Sequence, residues 1–425
     1  MDLLQDFVEK WLELSVLWKS ERSEESPLAL PSAKAVPLES AFVRIAVDLL
    51  AAGDEEYDER LFASARRIRD LHVGAKIDLR AVIDLSNKCR VNCGFCPMRR
   101  DNADAFPVAK ANATNIFLAS EEAYSKGFRQ LFLQSGEDTT IIRPVVEALQ
   151  LIRRHRKDWH VILNLGSHRS EVYEKLRAAG ADGYLIKHET ANPDLHLRLR
   201  EEPLAKRVDH MLLARKAGMY IGSGNILGLP GQTIEDVGRD LIFLGRIDSS
   251  KMASSAPFTP SHDLPPALQL SEPGIFQKTL RFIALLRHCF PAARIPATSN
   301  LDSPYLIRPK SMPKCGQAMA IDAGANGVTV QFTPPEIEDE YGLYARGSEK
   351  LQDGYLVRFE KARLIAQHTG LRLDLASSKA SVVEPSAQAD IGPYVPQESS
   401  EARFFREGQG LPSTELNRAI RSATE

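Results

Sequence analysis

Asn87-Lys88-Cys89-Arg90-Val91-Asn92-Cys93-Gly94-Phe95-Cys96-Pro97 carries three cysteines at C-x3-C-x2-C spacing, directly after a β-type run from Leu79 to Ser86. Iron–sulfur clusters are normally held by four thiolates. Three on one loop with no fourth nearby fit a site-differentiated [4Fe–4S] cluster: three irons take Cys89, Cys93 and Cys96, and one stays open to an exogenous chelate. The amino and carboxylate groups of S-adenosylmethionine (SAM) supply such a chelate. The competing reading is zinc, which takes four tetrahedral ligands and usually shows a second pair at C-x2-4-C or H-x3-5-H spacing. No second cysteine pair at that spacing follows; only Cys289 and Cys315 remain, far along the chain.

Outward from this loop, the chain alternates. Strands are expected near 80–86, 130–134, 161–165, 183–187, 219–227, 252–256, 294–298 and 327–331. Helices are expected near 111–126, 142–155, 169–178, 203–217, 233–245, 273–288, 314–323 and 354–369. Eight β-α units in order predict an α/β fold, a (β/α)8 TIM-type barrel that is complete or nearly so. Active residues then belong at the C-terminal ends of the strands. The expected divisions are an N-terminal helix and Ser/Pro linker at 1–38, a helical lead-in at 39–78, the barrel at 79–375 and a polar, partly disordered tail at 376–425. In the N-terminal helix, Leu3, Leu4, Phe7, Val8, Trp11, Leu12 and Leu14 fall at helical spacing and predict a face packed on the main body.

The strand ends carry the next layer of chemistry. Strand two ends in Gln134-Ser135-Gly136-Glu137, a close-approach glycine beside a carboxylate suited to a ligand ammonium. Strand four ends in Lys187-His188-Glu189-Thr190, where Glu189 suits a ribose hydroxyl or amine and His188 reads as a packed loop histidine. The following helix carries Arg207, able to grip a carboxylate with two N–H groups, or else to pair at the surface. Strand five runs Gly222-Ser223-Gly224-Asn225-Ile226-Leu227-Gly228-Leu229-Pro230-Gly231, with glycines where backbone passes close to a flat ligand. Thr233 and Asp236 predict a helix N-cap. Phe95 is placed to cover a cluster or to pack in its loop.

Together these runs resemble the radical SAM enzymes, in the branch of the hydrogenase maturase HydE and the methylornithine synthase PylB, with biotin synthase as a further relative. Asp48 to Glu56, Asn87 to Asn102, Gln134 to Glu137, Leu163 to Gly166, Glu189-Thr190, Gly222 to Thr233, Pro257 to Pro260, Ile295 to Thr298 and Asp322 to Asn326 carry the resemblance. It implies a [4Fe–4S] cluster on Cys89, Cys93 and Cys96. It implies a SAM pocket of Phe95, Ser135, Gly136, Glu137, Glu189, Arg207, Gly224, Ile226 and Gly228. It also implies reductive cleavage of SAM and a low-potential electron donor such as flavodoxin or ferredoxin. Lumen-facing candidates for a small polar substrate or organometallic fragment are Asn164, Ser254, Ser255, Thr298, Asn300, Asp302, Gln331 and Thr333. Met252-Ala253-Ser254-Ser255-Ala256 lacks the arginine expected for a lysine carboxylate, which favours the maturase over the amino-acid mutase. A non-enzymatic iron–sulfur protein would need the three cysteines and none of the SAM pocket.

Composition bounds the rest. With 43% hydrophobic and 26% charged residues the chain reads as globular. A net charge of −2 gives no general attraction to nucleic acid or to acidic membrane. No apolar run approaches the roughly 18 residues of a membrane span. Five cysteines and an acidic N-terminus predict a cytoplasmic protein with reduced thiols, in an anaerobic setting. Cys289 reads as a buried thiol, and Cys315 as a thiol at a helix start, where a thiolate is favoured.

Overall fold

The computed structural model describes residues 2–21, 32–105, 107–260, 264, 265, 268, 272–303, 315–338 and 355–375. In chain order, α1 (Asp2–Glu21), α2 (Ala35–Ala51) and α3 (Glu55–Val73) precede β1 (Lys76–Asp84). Then follow α4 (Ala113–Ser125), β2 (Gln130–Gln134), α5 (Ile142–His155), β3 (His160–Asn164), α6 (Ser170–Ala179) and β4 (Gly183–Leu185). Two helices, α7 (Pro193–Arg200) and α8 (Leu204–Lys216), lead to β5 (Tyr220–Leu227), α9 (Ile234–Arg246) and β6 (Ala253–Pro257). The last elements are α10 (Ile275–Cys289), α11 (Gly316–Asp322), β7 (Gly327–Gln331), α12 (Pro335–Glu338), α13 (Tyr355–Thr369) and β8 (Arg372–Asp374).

All strand pairs are parallel, in the order β6-β5-β4-β3-β2-β1-β7. The gap between β6 and β7 is spanned by residues 294–297. Met252 bridges Arg294 and Pro296 bridges Gly327, with Ala253 N–H on Arg294 O (3.2 Å) and Ala297 N–H on Gly327 O (2.8 Å). The eighth stave therefore exists as two single bridges rather than a strand, and the ring of parallel segments is continuous. β8 was not expected; it pairs with the first residues of β1.

Two-residue alternation sorts each strand. Ile77, Leu79, Ala81 and Ile83 of β1 join the large core under the helices. Val82, Phe132, Ile162, Leu185 and Met252 form a separate apolar cluster, as expected for a filled barrel interior. Above that plug the inward positions turn polar, which opens the C-terminal mouth to chemistry.

The N-terminal helix packs on the body as its periodicity predicts. Phe7 stacks on Phe42 (4.6 Å) and Trp11 meets Phe290 edge-on (5.1 Å). Trp18 Nε1 donates to Glu39 Oε1 (3.0 Å). Leu12, expected on the packed face, is 52% exposed, while Trp18 is buried. The predicted linker is also shorter than drawn. Helix α2 begins at Ala35, with Ser32 Oγ accepting from Ala35 N–H (3.1 Å) and Pro37 in the first turn, where its missing N–H is harmless. The expected tail at 376–425 lies outside the described residues. Among the described residues no helix is long and apolar enough to cross a membrane.

Candidate active site

The cysteine loop is held from three sides before any ligand is considered. From the β2 side, Gly136 N–H donates to Ser86 O (2.8 Å), Arg90 N–H donates to Glu137 O (3.1 Å), and Ser86 Oγ donates to Asp138 Oδ2 (2.9 Å). Behind the loop, Asn87 pairs with the return segment: Nδ2 donates to Pro107 O (2.6 Å) and Oδ1 accepts from Ala109 N–H (2.9 Å). From α7, Leu199 O accepts from Gly94 N–H (2.7 Å). A Cβ at Gly136 would overlap the Lys88 carbonyl oxygen and lie 3.1 Å from Cys89 Cβ, so the loop crosses this point because residue 136 has no side chain. The close approach read from this glycine is thus made by the cysteine loop itself.

Two of the three sulfurs accept hydrogen bonds. Glu137 N–H points at Cys89 Sγ (3.3 Å), and Arg200 Nη1 at Cys93 Sγ (3.0 Å). Burial pushes the Cys93 thiol up to about 12, with Arg200 opposing, and drives Cys96 higher still, with the neighbouring thiols adding to the effect. Without a metal these groups keep their protons; metal binding must displace them. Among the described residues no three His, Cys, Asp or Glu side chains gather around a point for a single ion. A [4Fe–4S] cube spreads its irons over separate corners, so its thiolates need not converge. Three thiols on one loop, with N–H donors already directed at two of the sulfurs, fit such a cube.

Beside the loop lies a charged network. Glu137 is buried, and its Oε2 accepts from Ser167 N–H (2.8 Å) and from Arg200 Nη2 (3.4 Å). Arg90 Nη2 lies 2.9 Å from Oε1, out of line for a hydrogen bond, and Arg207 Nη1 lies 3.8 Å from Oε2. Arg207 is buried too, donating to Ser167 Oγ (2.8 Å) and to Lys187 O (3.1 Å). The surface-pair alternative for Arg207 is therefore excluded. Glu137 is a carboxylate facing three guanidiniums, not a lone acceptor. Ser135 donates its hydroxyl to Gly136 O (2.6 Å).

Glu189 adopts φ +63°, a left-handed conformation that costs a non-glycine residue about 1–3 kcal/mol. Backbone bonds enforce it: Glu189 N–H to Gly224 O (3.1 Å) and Ile226 N–H to Glu189 O (2.8 Å). The twist sets the carboxylate 3.0 Å from Lys187 Nζ. Burial favours the neutral acid here, but Lys187, Arg207 and Arg200 outweigh it and hold Glu189 below the usual carboxylate range. Gly224 is a close-approach glycine, although its neighbour is Ser254, whose Oγ a Cβ would overlap. Gly228 sits in the turn beyond β5, its N–H on Gln232 Oε1 (2.8 Å). Phe95 and Ile226 meet in a small apolar cluster with Leu195, Leu199, Leu229, Phe258, Leu264 and Leu268.

The substrate candidates divide. Asp84 is a buried hub at the mouth: Gln134 Nε2 donates to it (2.6 Å), as does Gln331 Nε2, and Thr333 Oγ1 accepts from Asp84 N–H (2.7 Å). Asn164 pairs in register with Gln134 at the same level. Ser254 alternates with Met252 on the inner face; Ser255 alternates with Ala253 on the outer one, so the pair cannot both face the lumen. Thr298 has a buried hydroxyl without a hydrogen-bond partner among the described residues. Asn300 is exposed and donates to Thr259 Oγ1 (3.0 Å). Asp302 turns away to Lys361 Nζ (2.8 Å) and Gly316 N–H. Ser255, Asn300 and Asp302 thus do not join the hub beside β1.

His188 is fully buried, stacked on Phe243 at 4.3 Å with Nδ1 3.0 Å from Ser223 Oγ, a packed histidine as read. Thr233 and Asp236 form the expected capping box. Cys289 is buried and its thiol pushed well up. Cys315 differs from expectation. It caps α11, but burial, reinforced by Asp302, pushes it up to about 11, so desolvation outweighs the helix end. Sequence reasoning missed Asp84, Arg90, Ser167, Lys187 and Arg200. Asn192-Pro193 is an N-cap followed by proline at the first helical position; that signal marks α7, and with it Arg200.

A model of the radical SAM superfamily matches residues 83–244. Those residues run from the end of β1 into the last turn of α9 and contain the whole charged network. The chain belongs to the radical SAM superfamily, enzymes that use a [4Fe–4S] cluster and SAM. It is 36% identical over 299 residues to the [FeFe] hydrogenase maturase subunit HydE of Thermotoga maritima, a match covering 70% of this chain and 82% of that protein. It is 25% identical over 297 residues to the 3-methylornithine synthase of Methanosarcina barkeri, covering 69% and 79%. The crystal structure of methylornithine synthase (PylB) shares the fold, with a TM-score of 0.66 at 23% identity over 79% of this chain and 94% of that one.

Proposed function

We infer that this enzyme is a HydE-like radical SAM protein of cofactor or metallocluster maturation, acting on a small polar or organometallic substrate held in the barrel mouth. Cys89, Cys93 and Cys96 hold the cluster. Phe95 and Ile226 offer an apolar wall beside the loop, and Ser135, Gly136, Gly224 and Gly228 shape the neighbouring backbone. Glu137, Glu189 and Arg207 supply the charges that orient SAM. The chemistry that cluster and SAM supply together is reductive cleavage of SAM to methionine and a 5′-deoxyadenosyl radical. The chain's own task is to orient SAM above the lumen and exclude water. The electron comes from a flavodoxin or ferredoxin, in a reduced cytoplasm.

The observation that carries this reading is the convergence of Arg90, Arg200 and Arg207 on Glu137, whose backbone N–H points at Cys89 Sγ. A protein that merely stores a cluster has no need of such a network beside it. Met252 and, on the inner face of β6, Ser254 and Ala256 offer no cation for an amino-acid carboxylate, which supports the maturase over the mutase. The test is functional replacement. Added to a hydrogenase maturation mixture lacking HydE, the reconstituted chain should restore hydrogen evolution. Conversion of lysine to methylornithine, with no restoration, would overturn the assignment in favour of the mutase.

A further inference from the structure

The C-terminal corner of α7 grips the cysteine loop through three consecutive residues. Leu199 O accepts from Gly94 N–H (2.7 Å), Arg200 Nη1 donates to Cys93 Sγ (3.0 Å), and Glu201 Oε1 accepts from Asn92 Nδ2 (2.7 Å). Glu201 reaches this position at φ +58°, a left-handed conformation for a non-glycine residue. Leu195 and Leu199 anchor the same helix in the apolar cluster that takes Phe95. Packing and hydrogen bonds hold the corner in place despite its left-handed residue, and it aims one buried guanidinium at one sulfur.

That aim is poorly explained by the metal-free chain. A buried guanidinium needs strong acceptors. Glu137 already faces Arg90 and Arg207, and Arg200 Nε has no hydrogen-bond partner among the described residues, the Glu202 carboxylate standing 3.5 Å off. Nη1 lies 3.0 Å from the Cys93 sulfur, and a thiol sulfur is a weak acceptor. A cluster-bound thiolate turns this contact into a charge-assisted hydrogen bond. Cys89 differs, since its donor is the neutral amide of Glu137.

Resting on the cluster assignment above, we propose that Arg200, acting through the Cys93 thiolate, raises the reduction potential of the cluster and so makes it reducible by the cell's low-potential donor. One electron from that donor makes the cluster more negative. A fixed cation and an N–H bond to sulfur stabilise the reduced form more than the oxidised one. Arg200 does not touch the substrate; its effect appears in the potential before any turnover.

The experiment uses anaerobically reconstituted full chain, wild type beside Arg200→Met and Arg200→Lys, each assayed first for iron and sulfide. The reductant is dithionite with mediators, and reduced cluster is read by EPR without SAM. At the potential where the wild type is half reduced, Arg200→Met should show a reduced-to-oxidised ratio about tenfold lower, equivalent to about 59 mV for one electron, with Arg200→Lys in between. An unchanged midpoint in a fully loaded Arg200→Met overturns the proposal. Should that variant fail to hold iron, wild-type holoprotein labelled with 15N-arginine decides instead. Pulsed EPR should find an arginine nitrogen coupled to the cluster spin that Arg200→Lys lacks; its absence from the wild type overturns the proposal. A Cys93→Ala chain that still reconstitutes normally would contradict the cluster assignment itself, a result separate from either of these.

Discussion

Replacing Gly136 by Ala isolates one steric contact. Gly136 has no left-handed backbone requirement, so alanine is conformationally acceptable there, and nothing but space opposes it. The added Cβ would overlap Lys88 O, with Lys88 C at 2.9 Å and Cys89 Cβ at 3.1 Å. Carbon atoms prefer separations of roughly 3.5–4.0 Å, so the loop must retreat by about 0.5–1 Å. Two bonds resist that retreat: Gly136 N–H on Ser86 O and Glu137 N–H on Cys89 Sγ. Overpacking of this kind costs about 1–3 kcal/mol, and here the cost falls on the geometry of the first cluster ligand. Most of the fold lies away from this contact. Gly136→Ala should therefore keep its circular dichroism and lose roughly 5- to 150-fold in SAM-cleavage rate, the equivalent of 1–3 kcal/mol. The assay is 5′-deoxyadenosine formation after anoxic reconstitution, with iron per chain measured alongside. Wild-type iron content together with wild-type cleavage would refute the steric account of this residue.

Arg207→Ala and Glu137→Gln should each weaken SAM binding by roughly ten- to a hundredfold, the loss of one charge-assisted contact of about 1.5–3 kcal/mol; unchanged calorimetric affinity in both would remove them from the pocket. Reconstitution should load near four irons per chain, because Cys289 and Cys315 cannot supply the usual four thiolates of a second cluster; six or eight irons, with an EPR signal lost in Cys315→Ala, would show otherwise. Acid should destabilise the chain. Burial lowers His196 and His288 from 6.5 to about 4, so between those values the unfolded chain binds more protons than the folded one. Stability is then lost as pH falls from 7 to 5, by about 2 kcal/mol for each histidine. Denaturant midpoints at the two pH values measure this, and a His288→Gln chain with the same pH slope as wild type would contradict it.

The alternation of strands and helices was legible because each element carried its own period and boundaries. The helix at 142–155 appears at its expected limits, and α9 begins at the capping box read from Thr233 and Asp236. What lay beyond reach was tertiary. The bond from Arg200 to Cys93 joins residues 107 apart in sequence, and no local pattern encodes it. Ser254 and Ser255 are chemically alike, and only the pleat decides that one faces the lumen. Cys315 has a helix end favouring the thiolate and burial opposing it, and the sequence displays only the first. Asp84 was hidden at the end of an apolar strand, where its partners Gln134, Gln331 and Thr333 come from the two neighbouring strands and the turn after β7.

The central claim is that Cys89, Cys93 and Cys96 hold the cluster that cleaves SAM. Anaerobic incubation of reconstituted chain with SAM and dithionite, without substrate, measures it directly. The account predicts 5′-deoxyadenosine from the wild type and none from Cys93→Ala. Product retained in Cys93→Ala, or none from a fully loaded wild type, would contradict it.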